Sequence, residues 1–330
     1  MVKKTLETKK LQLHNNNNGD IMEFKHISVL KEESIIGLNI KPDGVYVDCT
    51  TGGGGHSLEI AKKLTTGRLI CFDKDTDALS FAKERLKDYA DKITFINRNF
   101  ADIEDVLEEL QIDGVDGILA DLGVSSYQID TAERGFSFMR DARLDMRMNK
   151  TQDLDAYKVL NTYSEAELAK IMFLYGEEKN SKQIARKILK FRENKPLETT
   201  FELRDIIVSS YPPKFQNKPS LCNKVFQAIR IEVNNELNDL ELSVEKMLQK
   251  LKKGGRLCII TFHPLEDRIV KTKFKTHSTG CLCPPRIPKC VCNHVADVNL
   301  ITRHPIVPED NELLSNSRSG SAKLRIAEKI

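Results

Sequence analysis

The chain has 330 residues, 40% of them hydrophobic, enough to bury a full core in one large domain or two ordinary ones. No run approaches the roughly 18 apolar residues that a membrane-spanning helix needs, and no charged leader precedes an apolar stretch at the N-terminus, so a soluble, cytoplasmic protein is expected. The formal net charge of +3 conceals a segregation of sign: residues 102–121 hold eight acids and no bases, whereas 179–230 hold twelve Lys or Arg against four acids. The basic half is a candidate surface for a polyanion, although a solvated helix face has the same composition.

The first twenty-one residues are polar and lysine-rich, with Asn15, Asn16, Asn17 and Asn18 in a row. They read as a disordered extension or a non-native leader, with folded sequence expected from about Met22. Short β-branched runs at 45–49, 68–72, 93–97 and 115–120 then alternate with helical patterns at 58–64, 76–89 and 103–110, which predicts a parallel sheet with helices on both faces. After Gly123 the rhythm breaks. Roughly a hundred residues follow with helical periodicity only: 164–175, opened by the Ser164/Glu167 capping box, then 182–191 and 203–210, punctuated by Pro196 and Pro212-Pro213. A helix over about 235–251 is expected to stop at Gly254-Gly255, before strands at 256–262 and 323–328. The pattern therefore predicts an α/β domain in two pieces, 22–132 and 235–330, interrupted by an all-helical insertion at 133–234.

The first strand runs into Asp48-Cys49-Thr50-Thr51-Gly52-Gly53-Gly54-Gly55-His56, with a helix directly after. Glycines let a backbone approach a ligand closely, and a helix N-terminus offers free N–H groups. The second strand ends at Asp73, about 20 residues on, where doubly wound folds bind a ribose diol. A dinucleotide turn aims its helix at a pyrophosphate, which Asp48 would repel; the same acid suits the α-amino group of methionine, and the order favours S-adenosylmethionine over NAD. The fourth strand ends in Asp121-Leu122-Gly123-Val124-Ser125-Ser126-Tyr127-Gln128, in the crevice where open α/β sheets place their chemistry. Asp121 is the candidate to hydrogen-bond an acceptor amine, its bland alternative being an acid that caps the strand end.

With these residues in view, the chain resembles the RsmH (MraW) family of bacterial 16S rRNA cytosine-N(4) methyltransferases. The likeness extends through Glu133-Arg134-Gly135-Phe136-Ser137-Phe138-Met139-Arg140, Leu144-Asp145-Met146-Arg147-Met148 and Tyr175-Gly176-Glu177-Glu178. It continues in the run from Phe226 to Leu237, in the run from Ile260 to Arg268 and in Ser319-Gly320-Ser321-Ala322-Lys323-Leu324-Arg325, so that it spans about 24–330. The resemblance implies a Rossmann-like class I S-adenosylmethionine methyltransferase sheet with an inserted helical domain for rRNA recognition. It implies methyl transfer to the exocyclic amine of a cytidine in the decoding region, with 16S rRNA of the small subunit as partner and a monomer or homodimer as the working unit. It also implies that Gly54, Gly55 and His56 line the methionine end, Asp73 binds the ribose, Phe100 packs on the adenine, and Asp121 and Gln128 complete the pocket. Asp121 is the expected polarising group, with Asp145 and His263 as further catalytic candidates. Two positions depart from the commonest family pattern: Pro264 stands where serine is usual, and Gly320 breaks a serine-arginine-serine run. Alternative readings are a methyltransferase of protein or small molecules, and a non-catalytic rRNA-binding assembly factor.

Eight cysteines divide into two groups. Cys49, Cys71, Cys222 and Cys258 are scattered in apolar surroundings, as reduced buried thiols are. Cys281-x-Cys283 and Cys290-x-Cys292 flank a loop with Pro284, Pro285 and Pro288, a spacing compatible with structural zinc, free thiols or redox disulfides.

Overall fold

The computed structural model describes residues 28–216, 218, 220–284 and 289–330, so the N-terminal extension expected over 1–21 lies outside the described residues. Seven strands form one sheet: β1 (Val45–Asp48), β2 (Arg68–Phe72), β3 (Ile93–Ile96), β4 (Val115–Asp121), β5 (Leu251–Thr261), β6 (Val298–Leu300) and β7 (Lys323–Lys329). Their order is β3-β2-β1-β4-β5-β7-β6; the first five are parallel, and β7 runs antiparallel to both β5 and β6. This is the expected Rossmann-like α/β class.

The middles of the central strands are apolar because both faces are covered, and the charged residues of β1, β2 and β4 stand at or near the strand ends. Val47, Ile70, Ile118 and Ile259 point into one buried cluster with helices α4 (Ile103–Glu109), α11 (Glu236–Lys250) and α12 (Pro264–His277). Their neighbours Tyr46, Leu69, Leu119 and Cys258 point the other way, into a second cluster with α1 (Lys31–Leu38) and α2 (Gly55–Lys63). The two-residue period of a strand thus divides each run between two cores. The remaining helix beside this half of the sheet is α3 (Thr76–Arg85), capped by Asp75, whose side chain accepts from the Asp77 N–H at 3.0 Å.

Between β4 and β5 the described chain holds α5 (Ser126–Asp130), α6 (Ala156–Thr162), α7 (Glu165–Gly176), α8 (Ser181–Arg192), α9 (Thr200–Ser209) and α10 (Ser220–Asn234). Helices α6 to α10, with the segment before α6, build a third cluster that runs from Leu144 to Val233. The Ser164/Glu167 box closes both ways at the start of α7: Ser164 N–H donates to Glu167 Oε2 at 2.8 Å and Glu167 N–H to Ser164 Oγ at 3.3 Å. Many of the basic side chains counted above are spent inside this unit. Arg192 donates to the Leu160 and Tyr163 carbonyls at 3.0 and 2.8 Å, closing the end of α6, whereas Arg230 reaches out of the unit to Glu236 of α11 through two bonds of 2.9 Å.

One buried side chain joins the sheet side to the segment before α6, and a second holds that segment to α10. Arg134 reaches Asp75 Oδ2 at 2.8 Å and donates to the Arg147 and Met148 carbonyls at 2.9 and 3.2 Å. Asn234 accepts from the Met148 N–H and donates to the Met146 carbonyl, both at 2.8 Å. The same short segment is therefore fastened from both ends of the helical unit. Gly254-Gly255 differs from expectation: the helix stops earlier, at Lys250, and the glycines sit inside β5, where pairing with β4 slips between Val115–Leu251 and Gly117–Arg256. A bulge rather than a helix stop explains them.

Arg134 and Asp75 are almost fully buried, with side-chain exposures of 6% and 0%. Replacing Arg134 with Met leaves the Asp75 carboxylate without its cation, and a loss of about 3–5 kcal/mol is expected in denaturant unfolding. The double variant Asp75→Asn/Arg134→Met is expected to regain part of that loss; equal instability of the two would remove the ion pair as its cause.

Candidate active site

The glycine turn leaves β1 through two residues in left-handed conformation, Gly52 at φ +50° and Gly54 at φ +74°. Side chains rarely adopt these angles, which accounts for glycine there. Asp48 anchors the turn from below: its carboxylate accepts from Ser57 Oγ at 2.5 Å and from the Thr50 N–H at 3.1 Å, and it is buried. It does not line the cleft, so its position suits fixing the turn rather than meeting a ligand's amino group. Burial pushes its carboxyl up to about 6.

The cleft at the C-terminal edge of β1, β2 and β4 has a volume of about 1210 Å³ including its open mouth. Gly52, Gly53, Gly55, His56, Asp73, Phe100, Asp121 and Gln128 line it, together with Met148 from the fastened segment and Glu236 and Glu266 from α11 and α12. Gly54 is not among them: a Cβ there would meet Ala82 and Leu86, so it faces α3 and serves as the N-cap of α2.

Asp73 accepts from the Gly52 N–H at 2.7 Å and the Asp75 N–H at 2.9 Å, which fixes the carboxylate plane while leaving lone pairs for a diol. Burial pushes it up to about 6, against those two hydrogen bonds, with Asp75 and Asp48 adding to the rise. Gln128 is held at both ends of its amide, accepting from the Ser125 N–H at 3.0 Å and donating to Asp75 Oδ2 at 2.8 Å. Phe100 lies partly buried in a short 3-10 turn capped by Asn99 and packs against the first core cluster.

Asp121 stands at the end of β4. Its N–H donates to Thr50 Oγ1 at 2.6 Å, and Oδ2 lies 3.6 Å from His56 Nδ1. The His56 ring is set from behind by Nε2, 3.0 Å from the Val29 carbonyl. Oδ1 is buried and has no hydrogen-bond partner among the described residues, an orphaned acceptor in the wall of the cleft. Burial first, then the charges of Asp48, Glu266 and Glu312, raise this carboxyl well above the ordinary carboxylate range. The orphaned oxygen, the glycine turn and the ready-fixed Asp73 together fit a cationic nucleoside cofactor.

The structure does not bring the other two catalytic candidates to the cleft. Asp145 is gripped by Arg147, with Oδ1 2.8 Å from Nε and Oδ2 2.8 Å from Nη2, and it shapes the segment that Arg134 and Asn234 fasten. His263 is buried behind the wall at the N-cap of α12, its Nε2 3.1 Å from Glu266 Oε1. Between them stands Pro264, at the first position of that helix, where a missing N–H costs nothing. Phe262 and Glu266 are the residues of that motif that line the cleft, and Glu266 also accepts from the Phe262 N–H at 2.7 Å. Glu236 and Glu266 both fall in runs singled out above, yet nothing local marks them; only the packing of α11 and α12 against the sheet puts them in the wall.

The four thiols of the second cysteine group converge: their Sγ atoms lie within 4.8 Å of one another. The other four are buried singly.

The comparisons with known proteins agree with this geometry. The model of the MraW methylase family matches residues 23–330. A relative from Clostridium botulinum (strain Kyoto / Type A2), Ribosomal RNA small subunit methyltransferase H, is 57% identical over 310 residues, covering 94% of this chain and 100% of its own length. Proteins of the same name from Lachnospira eligens and Finegoldia magna are 54% and 53% identical, each over 94% of this chain and all of their own. The chain belongs to the MraW methylase family, and with it to the S-adenosylmethionine-dependent methyltransferases.

Proposed function

We infer that this chain methylates the RNA of the small ribosomal subunit, and that its target is the N(4) exocyclic amine of a cytidine in the decoding (P-site) region of 16S rRNA. The substrate class rests on the relatives' name and on their full-length coverage of this sequence. The observation that carries the chemistry is the orphaned Asp121 Oδ1 in the wall of a cleft bordered by the glycine turn.

S-adenosylmethionine supplies a methyl group made electrophilic by its sulfonium. Asp73 holds the ribose diol on its fixed carboxylate, Phe100 packs on the adenine, and the turn at Gly52, Gly53 and Gly55 admits the methionine end. Asp121 accepts a hydrogen bond from the cytosine amine and turns its lone pair toward the methyl. As the new N–C bond formed and the methyl–sulfur bond broke, leaving the neutral thioether S-adenosylhomocysteine, positive charge would develop on the amine, and the Asp121 carboxylate would stabilise it and take the departing proton. No stronger base is needed, because the methylated amine is acidic until it loses that proton. The cytosine amine is weakly nucleophilic through conjugation, so alignment is the principal contribution of the protein.

Residues 133–234 act in this reading as the RNA-holding unit, which supports the target base while it is out of its stack, a step costing a few kcal/mol. Two features support that role. Lys182 and Lys190 are exposed along α8. Phe215 is flanked by Lys214 and Lys218, whose ammonium groups stand 4.9 and 5.2 Å from the ring centroid. An aromatic face beside paired cations is the chemistry that stacks bases and neutralises phosphates. Among the described residues no helix is long and apolar enough to cross a membrane.

Incubating small subunits that lack the modification with labelled cofactor, then mapping the labelled nucleoside, tests the proposal. Label on a cytidine N(4) in the decoding region is expected; label in protein, or bound subunits without label, would overturn it. Asp121→Asn keeps the shape but not the proton acceptor, and a fall of about 10²–10³ in turnover is expected with cofactor affinity changed far less. Asp73→Ala is expected to weaken cofactor binding while leaving the affinity for subunits in place; equal loss of both would argue against its ribose role.

A further inference from the structure

Between the end of α12 and β6 the chain makes an excursion of about twenty residues, closed at its neck. His277 at the last turn of α12 has Nδ1 2.7 Å from Asp297 Oδ1 and Nε2 3.0 Å from Glu245 Oε2, and the Asp297 N–H donates to the His277 carbonyl at 2.9 Å. Among its described residues the excursion has neither helix nor strand, and its apolar side chains Leu282, Val291 and Val295 are 47%, 72% and 75% exposed. Its described residues form no apolar core, and segments of this kind usually depend on another constraint.

The four sulfurs supply the missing centre. Cys281 Sγ lies 3.5 Å from Cys290 Sγ and 3.8 Å from Cys292 Sγ; Cys283 and Cys290 are 3.9 Å apart, and Cys290 and Cys292 3.5 Å. A disulfide would bring one pair to about 2.05 Å. A tetrahedron of thiolates around zinc, with Zn–S of about 2.3 Å, has edges of about 3.8 Å. Four of the six separations, at 3.5 to 3.9 Å, lie close to that edge, and all six are within 4.8 Å. Thiols are weak donors and weak acceptors, so four of them have little reason to gather around a common point unless a cation occupies it.

The backbone repeats the same logic with near two-fold symmetry. The Leu282 N–H, between the first two cysteines, donates to Cys292 Sγ at 3.4 Å, and the Val291 N–H, between the second two, donates to Cys283 Sγ at 3.4 Å. Each pair thus hydrogen-bonds the far sulfur of the other, which disperses the negative charge that four thiolates around a divalent ion would carry.

We propose that Cys281, Cys283, Cys290 and Cys292 bind one zinc ion that clasps the excursion between α12 and β6. Four protein ligands fill the tetrahedron and leave no open position for water, and none of these residues borders the cleft, so the ion is structural and takes no part in methyl transfer.

The full chain, purified under reducing conditions without added metal and without a metal-affinity column, is expected to carry about one zinc per molecule. Titration with a mercurial in the presence of a colorimetric chelator should release that zinc as four thiols are consumed. Cobalt substitution should give the intense ligand-field bands of a tetrahedral four-sulfur site. Cys281→Ser/Cys283→Ser should lose the metal while binding S-adenosylmethionine within about twofold of the parent, since the clasp lies outside the cleft. Should that variant aggregate, the mercurial release and the cobalt spectrum of the parent decide the matter. A metal-free parent chain with four titratable thiols, or one with disulfides among these residues, overturns the proposal.

Discussion

Three carboxylates stand at the ends of adjacent parallel strands, and the rest of the site answers to the cost of keeping them there. Asp48, Asp73 and Asp121 follow β1, β2 and β4, and the parallel register that aligns the strands also gathers their acids at one edge. Each is buried enough to be driven upward in pKa, two to about 6 and Asp121 well beyond the ordinary range. The glycine turn answers part of the cost, with N–H groups from Thr50 and Gly52 and the hydroxyl of Ser57. Asp121 gets no such relief at Oδ1. A pocket built this way favours a cationic ligand, and a cation beside it restores the ionised carboxylate when a proton acceptor is needed.

The helical unit is coupled to that edge through charge as well. Asp75, two residues after Asp73, is satisfied by Arg134 and Gln128, and Arg134 continues to the Met148 carbonyl in the wall of the cleft. A displacement of the helical unit therefore pulls on Asp75, whose N–H holds the Asp73 carboxylate in the cleft. Asn234 repeats the connection from the other end of the unit, and Lys74 donates to its carbonyl at 3.3 Å. The two parts are joined by buried polar bonds, which fix geometry more tightly than apolar packing of the same area.

The sheet was legible in the sequence because its central strands are covered on both faces, which makes each a compact apolar run at Val45–Asp48, Arg68–Phe72 and Val115–Asp121. The box at Ser164 and Glu167 was legible because it is a local device. The three-residue strand β6 was not, being too short to show a period and stabilised by its neighbour β7. Gly254-Gly255 misled because a glycine pair after a helix and one at a bulge look alike in a linear chain. At the site, Asp73, Asp121 and the turn were recognisable from their place at strand ends, a rule of topology. Asp48, Gly54, Asp145 and His263 were expected at the cleft and do not line it, because spacing gives the neighbourhood of a residue and not the direction of its side chain. Glu236 and Glu266 needed the packing of two distant helices.

If the crowded carboxylates are the central device, binding of a cation must expel protons from them. Calorimetry at neutral pH in buffers of differing ionisation enthalpy measures this, comparing S-adenosylmethionine with S-adenosylhomocysteine, which lacks the sulfonium charge. The account predicts net proton release on binding, larger for the sulfonium compound and diminished in Asp121→Asn. Equal release with both ligands, or none with either, would contradict it.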